Sequence, residues 1–294
     1  MAVLCILINQ LAHQGESMLV RRYGKKYGAG GFLFNGVICL FAMIFFVISD
    51  SGGLYFAPGL WKFGIINGIL YASGFYFAYL AYKVGPYLLT HAIAGLSFVL
   101  PLVYGLFFLK EPSNYMTYIA LSCTFISFFL MIYGKNKGKD NKKEEKKLSF
   151  LWLLATLITL FSNGFISILA KMQQAAFDNQ YSNEYMIITL SGATLFLLTL
   201  GFTTERKNLK NVFVKGSAYG MAAGLLNGTK NFANLAVISM IPLSLLTPLK
   251  SAISKPLNLF VALVIYKEKY NLLQYLSIAF SLLSMALMQV AKYI

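Results

Sequence analysis

Six ionisable side chains sit in stretches whose neighbours are almost all apolar: His13, Glu16, His91, Lys230, Lys250 and Lys255. At membrane depth each such group costs at least roughly 2.5–3.5 kcal/mol on insertion scales, so each needs a partner, an aqueous cavity or a function. Asn227, Lys230, Asn231 and Asn234 fall at i, i+3, i+4 and i+7 and share one face of a helix. Lipid satisfies none of these hydrogen-bonding groups, so the face is expected to turn toward a polar interior. The plainer reading is that the asparagines tie one helix to another. Asn227-Gly228-Thr229 also fits a glycosylation sequon, which a buried helix cannot present, and is set aside.

Asn9, His13 and Glu16 repeat the pattern at i, i+4 and i+7 of the first apolar segment. Glu16 is the carboxylate expected inside a helix. It can pair with a buried base, bind a substrate amine or carry a proton, and Arg21 and Arg22 lie only about a turn away for a plain interfacial salt bridge. Lys250 and Lys255 stand among Pro242, Pro248 and Pro256, in a helix expected to be kinked or locally unwound. Five residues apart, they differ by about 140° around the axis, so they do not both face one ligand. Lys250 is preferred as the substrate contact and Lys255 follows it; a structural ion pair or a snorkelling side chain is the alternative for each. His13 and His91 titrate near neutral pH when exposed, and buried hydrogen-bonding histidines are the alternative. Asn67 and Tyr71 lie beside Gly64 and Gly68, with Tyr76, Tyr79 and Tyr82 further along the same segment as cavity candidates. The expected substrate-binding set is therefore Asn67, Tyr71, His91, Asn227, Lys230, Asn231, Asn234, Lys250 and Lys255, with His13 and Glu16 as candidates for proton or charge coupling.

The elements that must position these residues are read from hydropathy. The chain is 58% hydrophobic and 12% charged, against about 25% charged for a soluble domain. Apolar runs near the ~20 residues needed to cross a bilayer recur along it. They place helices at 2–20, 31–49, 61–82, 86–108, 114–133, 149–172, 184–202, 213–238, 241–265 and 271–291. Met1–Val20 lacks a basic n-region and a small-residue cleavage site and is expected to be a first span. A charged linker, 134–148, divides an N-terminal five-helix unit (1–133) from a C-terminal one (149–294). Cys5, Cys39 and Cys123 show no ligand spacing and are expected to be packing residues, so neither a disulfide nor a metal is implied.

A net charge of +15 raises a nucleic-acid reading, but the basic residues follow membrane sidedness instead. Arg21, Arg22, Lys25, Lys26, Lys83, the linker lysines, Arg206, Lys207, Lys210, Lys215, Lys267 and Lys269 all follow odd-numbered helices; Lys62, Lys110, Lys171 and Lys292 lie on the other side. The positive-inside rule makes the first side cytoplasmic and both termini external.

The two halves match in order at an offset near 150 residues. Gly15 and Arg22 answer to Gly164 and Lys171, Gly64 and Gly68 to Gly220 and Gly224, Pro86 and Pro101 to Pro242 and Pro256, and Lys110-Glu111 to Lys267-Glu268. Five helices per half invert the second copy, the plan of many alternating-access transporters. On these residues the sequence resembles the drug/metabolite transporter superfamily, in its ten-helix EamA-like branch. The resemblance implies an all-α integral membrane protein with ten transmembrane helices as two inverted five-helix repeats. It also implies export or exchange of a metabolite or drug through a cavity lined by helices 1, 3, 4, 6, 8 and 9. Two features depart from it: Ala12-His13-Gln14 replaces the usual tryptophan near Gly15, and the family places the termini in the cytoplasm.

Three intramembrane lysines against one glutamate favour an anionic or zwitterionic solute. Efflux of lipophilic cations through Glu16 and an aromatic cage is the alternative within transport. Hydrolase, metalloprotease and phosphate-loop motifs are absent, and nothing resembles a selectivity ring, which leaves an intramembrane enzyme or a channel with little to stand on. The expectation is a multi-pass protein of the cell membrane, monomeric, acting on a small molecule without a cofactor or nucleic acid.

Overall fold

An apolar segment without water must satisfy its own backbone, and a helix does so within one segment. The computed structural model describes residues 1–27, 31–50, 52–84, 90, 93–94, 96–111, 113–137, 149–261, 264 and 271–290, and no strand occurs among them. The helices are α1 (Ala2–Tyr27), α2 (Phe32–Ser49), α3 (Leu60–Val84), α4 (Leu96–Phe108), α5 (Tyr115–Lys137), α6 (Phe150–Ala176), α7 (Ser182–Thr204), α8 (Ser217–Met240), α9 (Leu243–Phe260) and α10 (Leu272–Val290). By length and composition α2, α3, α6 and α7 can each cross a membrane, and α4, α5 and α10 contain shorter apolar helices. The chain is accordingly helical, with several segments suited to a bilayer. Large apolar side chains on outward faces, such as Trp61, Ile69, Phe129 and Leu195, are exposed as lipid-facing residues would be.

Three expectations change. α5 continues through Lys137, past the end expected at 133; 138–148, the rest of the expected linker, lies outside the described residues. α1 runs on to Tyr27 and α6 to Ala176, since a helix does not stop where its apolar stretch does. α9 is not unwound: it is helical from Leu243 to Phe260 through Pro248 and Pro256. The irregular helix is α4 instead. It opens with a 3₁₀ turn at Leu96–Phe98 and closes with a π turn at Tyr104–Phe108, where Leu109 N–H reaches Tyr104 O at 3.1 Å.

Helix pairing joins the two sequence halves. α1 packs on α8, α3 on α6, α2 on both α7 and α8, α3 on α7, and α5 on α10. Glycine sets the closest approaches. A Cβ on Gly224 would lie 2.4 Å from Phe41 Cβ and 2.8 Å from Ile38 O; one on Gly68 would lie 3.0 Å from Thr189 O. These are small-residue contacts through which apolar helices associate in lipid. Across α5 and α10, Ser127 and Ser277 each donate a hydroxyl to the other's carbonyl, and the Thr124 and Ser284 hydroxyls lie 2.8 Å apart.

Two carboxylates cap helices from outside. Glu205, just past α7, accepts from the N–H groups of Phe32 and Leu33 at 3.1 and 3.0 Å. Glu111, past α4, accepts from the N–H groups of Leu243 and Ser244 at 2.8 and 2.9 Å and from the Ser244 hydroxyl at 2.6 Å. A helix start leaves such N–H groups without intrahelical partners and carries partial positive charge, so a carboxylate there is doubly favourable. Lys110, at φ +50°, makes the turn that aims Glu111 back at α9. The Lys-Glu pair of the sequence thus ends α4 and begins α9; its second copy, Lys267-Glu268, lies outside the described residues, as does Pro86.

Gly224→Val is expected to lower the unfolding midpoint in detergent by an amount equivalent to about 1–3 kcal/mol, the usual range for overpacking. Gly24→Ala, on α1 with nothing within 4 Å of the added Cβ, is the matched control and is expected to leave the midpoint unchanged or raise it. Glu111→Gln is expected to cost about 1–3 kcal/mol by weakening charge-assisted bonds to the start of α9.

Candidate functional site

The polar face of α8 meets the polar face of α1. Glu16 accepts from Asn227 Nδ2 at 2.7 Å through one oxygen and from Lys230 Nζ at 2.6 Å through the other, and the second contact is an ion pair. Asn9 Nδ2 donates to Lys230 O at 2.7 Å, and Gln10 Nε2 donates to Asn9 Oδ1 at 3.0 Å. The face continues along α8: Asn231 Nδ2 donates to Asn227 Oδ1 at 2.8 Å and to the Tyr71 hydroxyl of α3 at 3.3 Å. One turn further on, the Lys250 ammonium of α9 donates to Asn234 Oδ1. The network therefore runs from α1 through α8 to α3 and α9.

The side chains of Lys230 and Glu16 are 20% and 13% exposed, so the pair is shielded from bulk water. Breaking one member of such a pair strands the other charge. His13 lies within electrostatic range of Lys230, Glu16 and Lys250, yet keeps an exposed imidazole. Lys250 has Asn234 as its hydrogen-bond partner and no acidic partner among the described residues. The described cluster thus holds two ammonium groups and one carboxylate.

Local structure fixes this geometry. On α8 the Gly220, Gly224 and Gly228 stripe packs against Val37, Phe41 and Phe45 of α2, which turns the adjacent polar face toward α1. At its end, Lys171 Nζ of α6 donates to Ile238 O at 2.8 Å and Gln174 Nε2 donates to Leu235 O at 2.7 Å. Cations and donors are favoured on the last carbonyls of a helix. The basic residue seven past Gly164 therefore anchors α8.

Of the expected site residues, Tyr71, Asn227, Lys230, Asn231, Asn234, Lys250 and Glu16 come together, with His13 at the margin. Asn67 does not join them. It is 2% exposed between α3 and α7, where its Nδ2 donates to Thr189 Oγ1 at 3.2 Å and its Oδ1 has no partner. Its part is to hold two helices together. Of the other tyrosines of α3, Tyr76 and Tyr79 pack on Phe32, with ring centroids 5.9 and 4.8 Å away. His91 and the side chain of Lys255 lie outside the described residues. No cluster of three or more His, Cys, Asp or Glu side chains that could hold a metal occurs among the described residues. Sequence reasoning passed over Glu184, which is 6% exposed in the first turn of α7 and accepts from Tyr55 N–H at 3.0 Å.

No family model matches the chain, and no curated protein matches it. Among solved structures the chain is similar to a crystal structure of a protein at a TM-score of 0.70 and 14% sequence identity, over 97% of this chain and 98% of that one. The likeness extends through both halves and carries the fold alone.

A double-mutant cycle tests the ion pair. Glu16→Gln and Lys230→Met are each expected to destabilise, and the double variant is expected to lose less than the sum, with a coupling of at least about 1 kcal/mol in detergent unfolding. Additive losses would mean that the pair contributes nothing specific.

Proposed function

We propose that this chain is a secondary transporter that exports or exchanges a small anionic or zwitterionic metabolite by alternating access. The reading includes the ten-helix EamA-like plan of the drug/metabolite transporter superfamily, with two inverted five-helix repeats spanning the cell membrane in one self-sufficient chain. The pairing pattern supports the repeat. If α1–α5 correspond to α6–α10, the α1–α8 contact answers to α6–α3, and α2–α8 answers to α7–α3. The α2–α7 and α5–α10 contacts each map onto themselves. Gly68 against Thr189 O and Gly224 against Ile38 O are then the same contact made twice.

The observation that carries the function is Lys250. It is an ammonium in an apolar helical bundle whose hydrogen-bond partner is a neutral amide, one helix turn from a lysine already neutralised by Glu16. A cation held without an acidic partner among the described residues is a ready contact for a carboxylate or phosphate group. Alternating access also fits the placement of this network between helices of opposite halves. Efflux of lipophilic cations is disfavoured because both oxygens of Glu16 are already engaged by α8.

Counterflow in proteoliposomes tests the proposal. Preloading with the transported anion is expected to accelerate uptake of labelled anion, whereas a channel gives no trans stimulation. Lys250→Met is expected to abolish exchange, and to remove any rise in unfolding midpoint that the anion gives the native protein. Full exchange by Lys250→Met would reject this site.

A further inference from the structure

The Glu16 carboxylate stands where an arriving anion has most to gain. It takes one hydrogen bond from Asn227 and an ion pair from Lys230, while the second ammonium, Lys250, hydrogen-bonds Asn234 and has no acidic partner among the described residues. We propose that Glu16 is a built-in competitor for the substrate's second negative charge, so that the site takes a monoanion alone but a dianion only together with a proton. This rests on the anion-transport reading above and specifies its coupling.

The argument is one of charge balance. With Glu16 ionised, the described cluster carries one net positive charge. A monoanion on Lys250 neutralises it and leaves the Glu16–Lys230 pair intact. A dianion in the same place adds one unbalanced negative charge beside Glu16, in a region where charges are shielded from water and their interactions are strong. Protonation of Glu16 by solvent resolves this. The carboxyl becomes neutral, Lys230 Nζ is released, and Lys230 and Lys250 together balance both charges of the anion. When the anion leaves, Glu16 returns its proton to water and recovers Lys230.

The groups facing Glu16 narrow the source of that proton. His13 lies on its own helix, Cys39 on α2, Tyr71 on α3 and Lys230 on α8, while Lys250 of α9 stands within range of Lys230 and His13. The thiol and the phenol are neutral near pH 7 and Lys230 is held as a cation by its pair with Glu16, which leaves His13 and Lys250 as the competing acceptors. His13 sits beside both lysines, so a second proton there adds repulsion, whereas a proton on Glu16 accompanies release of a cation to the anion. Linkage fixes the sign: if a proton is bound with the dianion, dianion affinity rises as pH falls, and monoanion affinity stays flat.

Sulfate and methanesulfonate are suitable probes, being tetrahedral oxyanions of unlike charge that do not titrate where carboxylates and histidines do. Calorimetric titration of the purified full chain, repeated in two buffers of different ionisation heat, counts protons bound per anion. The expected result is about one proton per sulfate and none per methanesulfonate. Glu16→Gln is expected to bind sulfate at neutral pH at least as tightly as the native protein and with no proton. Sulfate binding without proton uptake by the native protein would overturn the proposal. So would proton uptake that survives Glu16→Gln, or no sulfate binding at any pH. Counterflow on the same preparation separates the two readings. Its absence overturns transport itself, while counterflow with proton-free sulfate binding overturns only the coupling.

Discussion

Charge neutrality in an apolar bundle is the constraint on which this molecule turns, and the Glu16–Lys230 pair is where it is met. Neither side chain can be buried alone at tolerable cost. α1 and α8 must therefore lie in one register, with Asn227 and the Lys230 carbonyl completing the contact from the same face. The rotation of α8 follows. Its glycine stripe closes on α2 and its polar face turns to α1, α3 and α9, two adjacent faces of one helix set by one packing decision. Lys171 and Gln174 then hold the far end of α8, so the register is fixed at two points rather than one.

The proposed repeat shows how a packing plan can be shared while chemistry is not. Where α8 meets α1 there is an ion pair; where α3 meets α6, the Ser73 and Ser162 hydroxyls lie 3.0 Å apart. Both pairings rely on small residues for close approach, and both tie helices of different halves. Among the described residues, the ion pair of the interior lies where α1 meets α8. A second copy of the ion pair would add desolvation cost.

Much of this was legible in the sequence because an apolar environment enforces it. The hydrophobic runs locate the helices, and the i, i+3, i+4, i+7 spacing puts Asn227, Lys230, Asn231 and Asn234 on one face, as it does Asn9, His13 and Glu16. What the spacing does not contain is the partner. Glu16 lies near Arg21 and Arg22 along the chain, yet Lys230, 214 residues away, reaches it at 2.6 Å. Asn67 looked equivalent to the asparagines of α8, but it sits beside Gly68 and so is carried into the helix contact that the glycine makes. The prolines of α9 suggested unwinding, yet the helix continues through both of them, and the irregular turns fall in α4. The caps were hidden for a different reason. Glu111 and Glu205 act on backbone N–H groups of remote helices, which have no sequence identity to recognise.

Those caps bear on the centre as well. The chain has only 10 acidic residues. Glu111, Glu184 and Glu205 are each committed to backbone N–H groups that would otherwise lack partners at segment ends. A carboxylate so engaged cannot move inward to rebalance the bundle, because leaving would strand the N–H groups it serves. Among the described residues, the interior charge balance of the α1–α8–α9 cluster therefore rests on one carboxylate set against two ammonium groups. A single protonation at Glu16 changes the sign of nothing but doubles the net positive charge that an anion meets. This leverage does not require a large conformational change to arise; it follows from scarcity of acid in a basic, apolar chain.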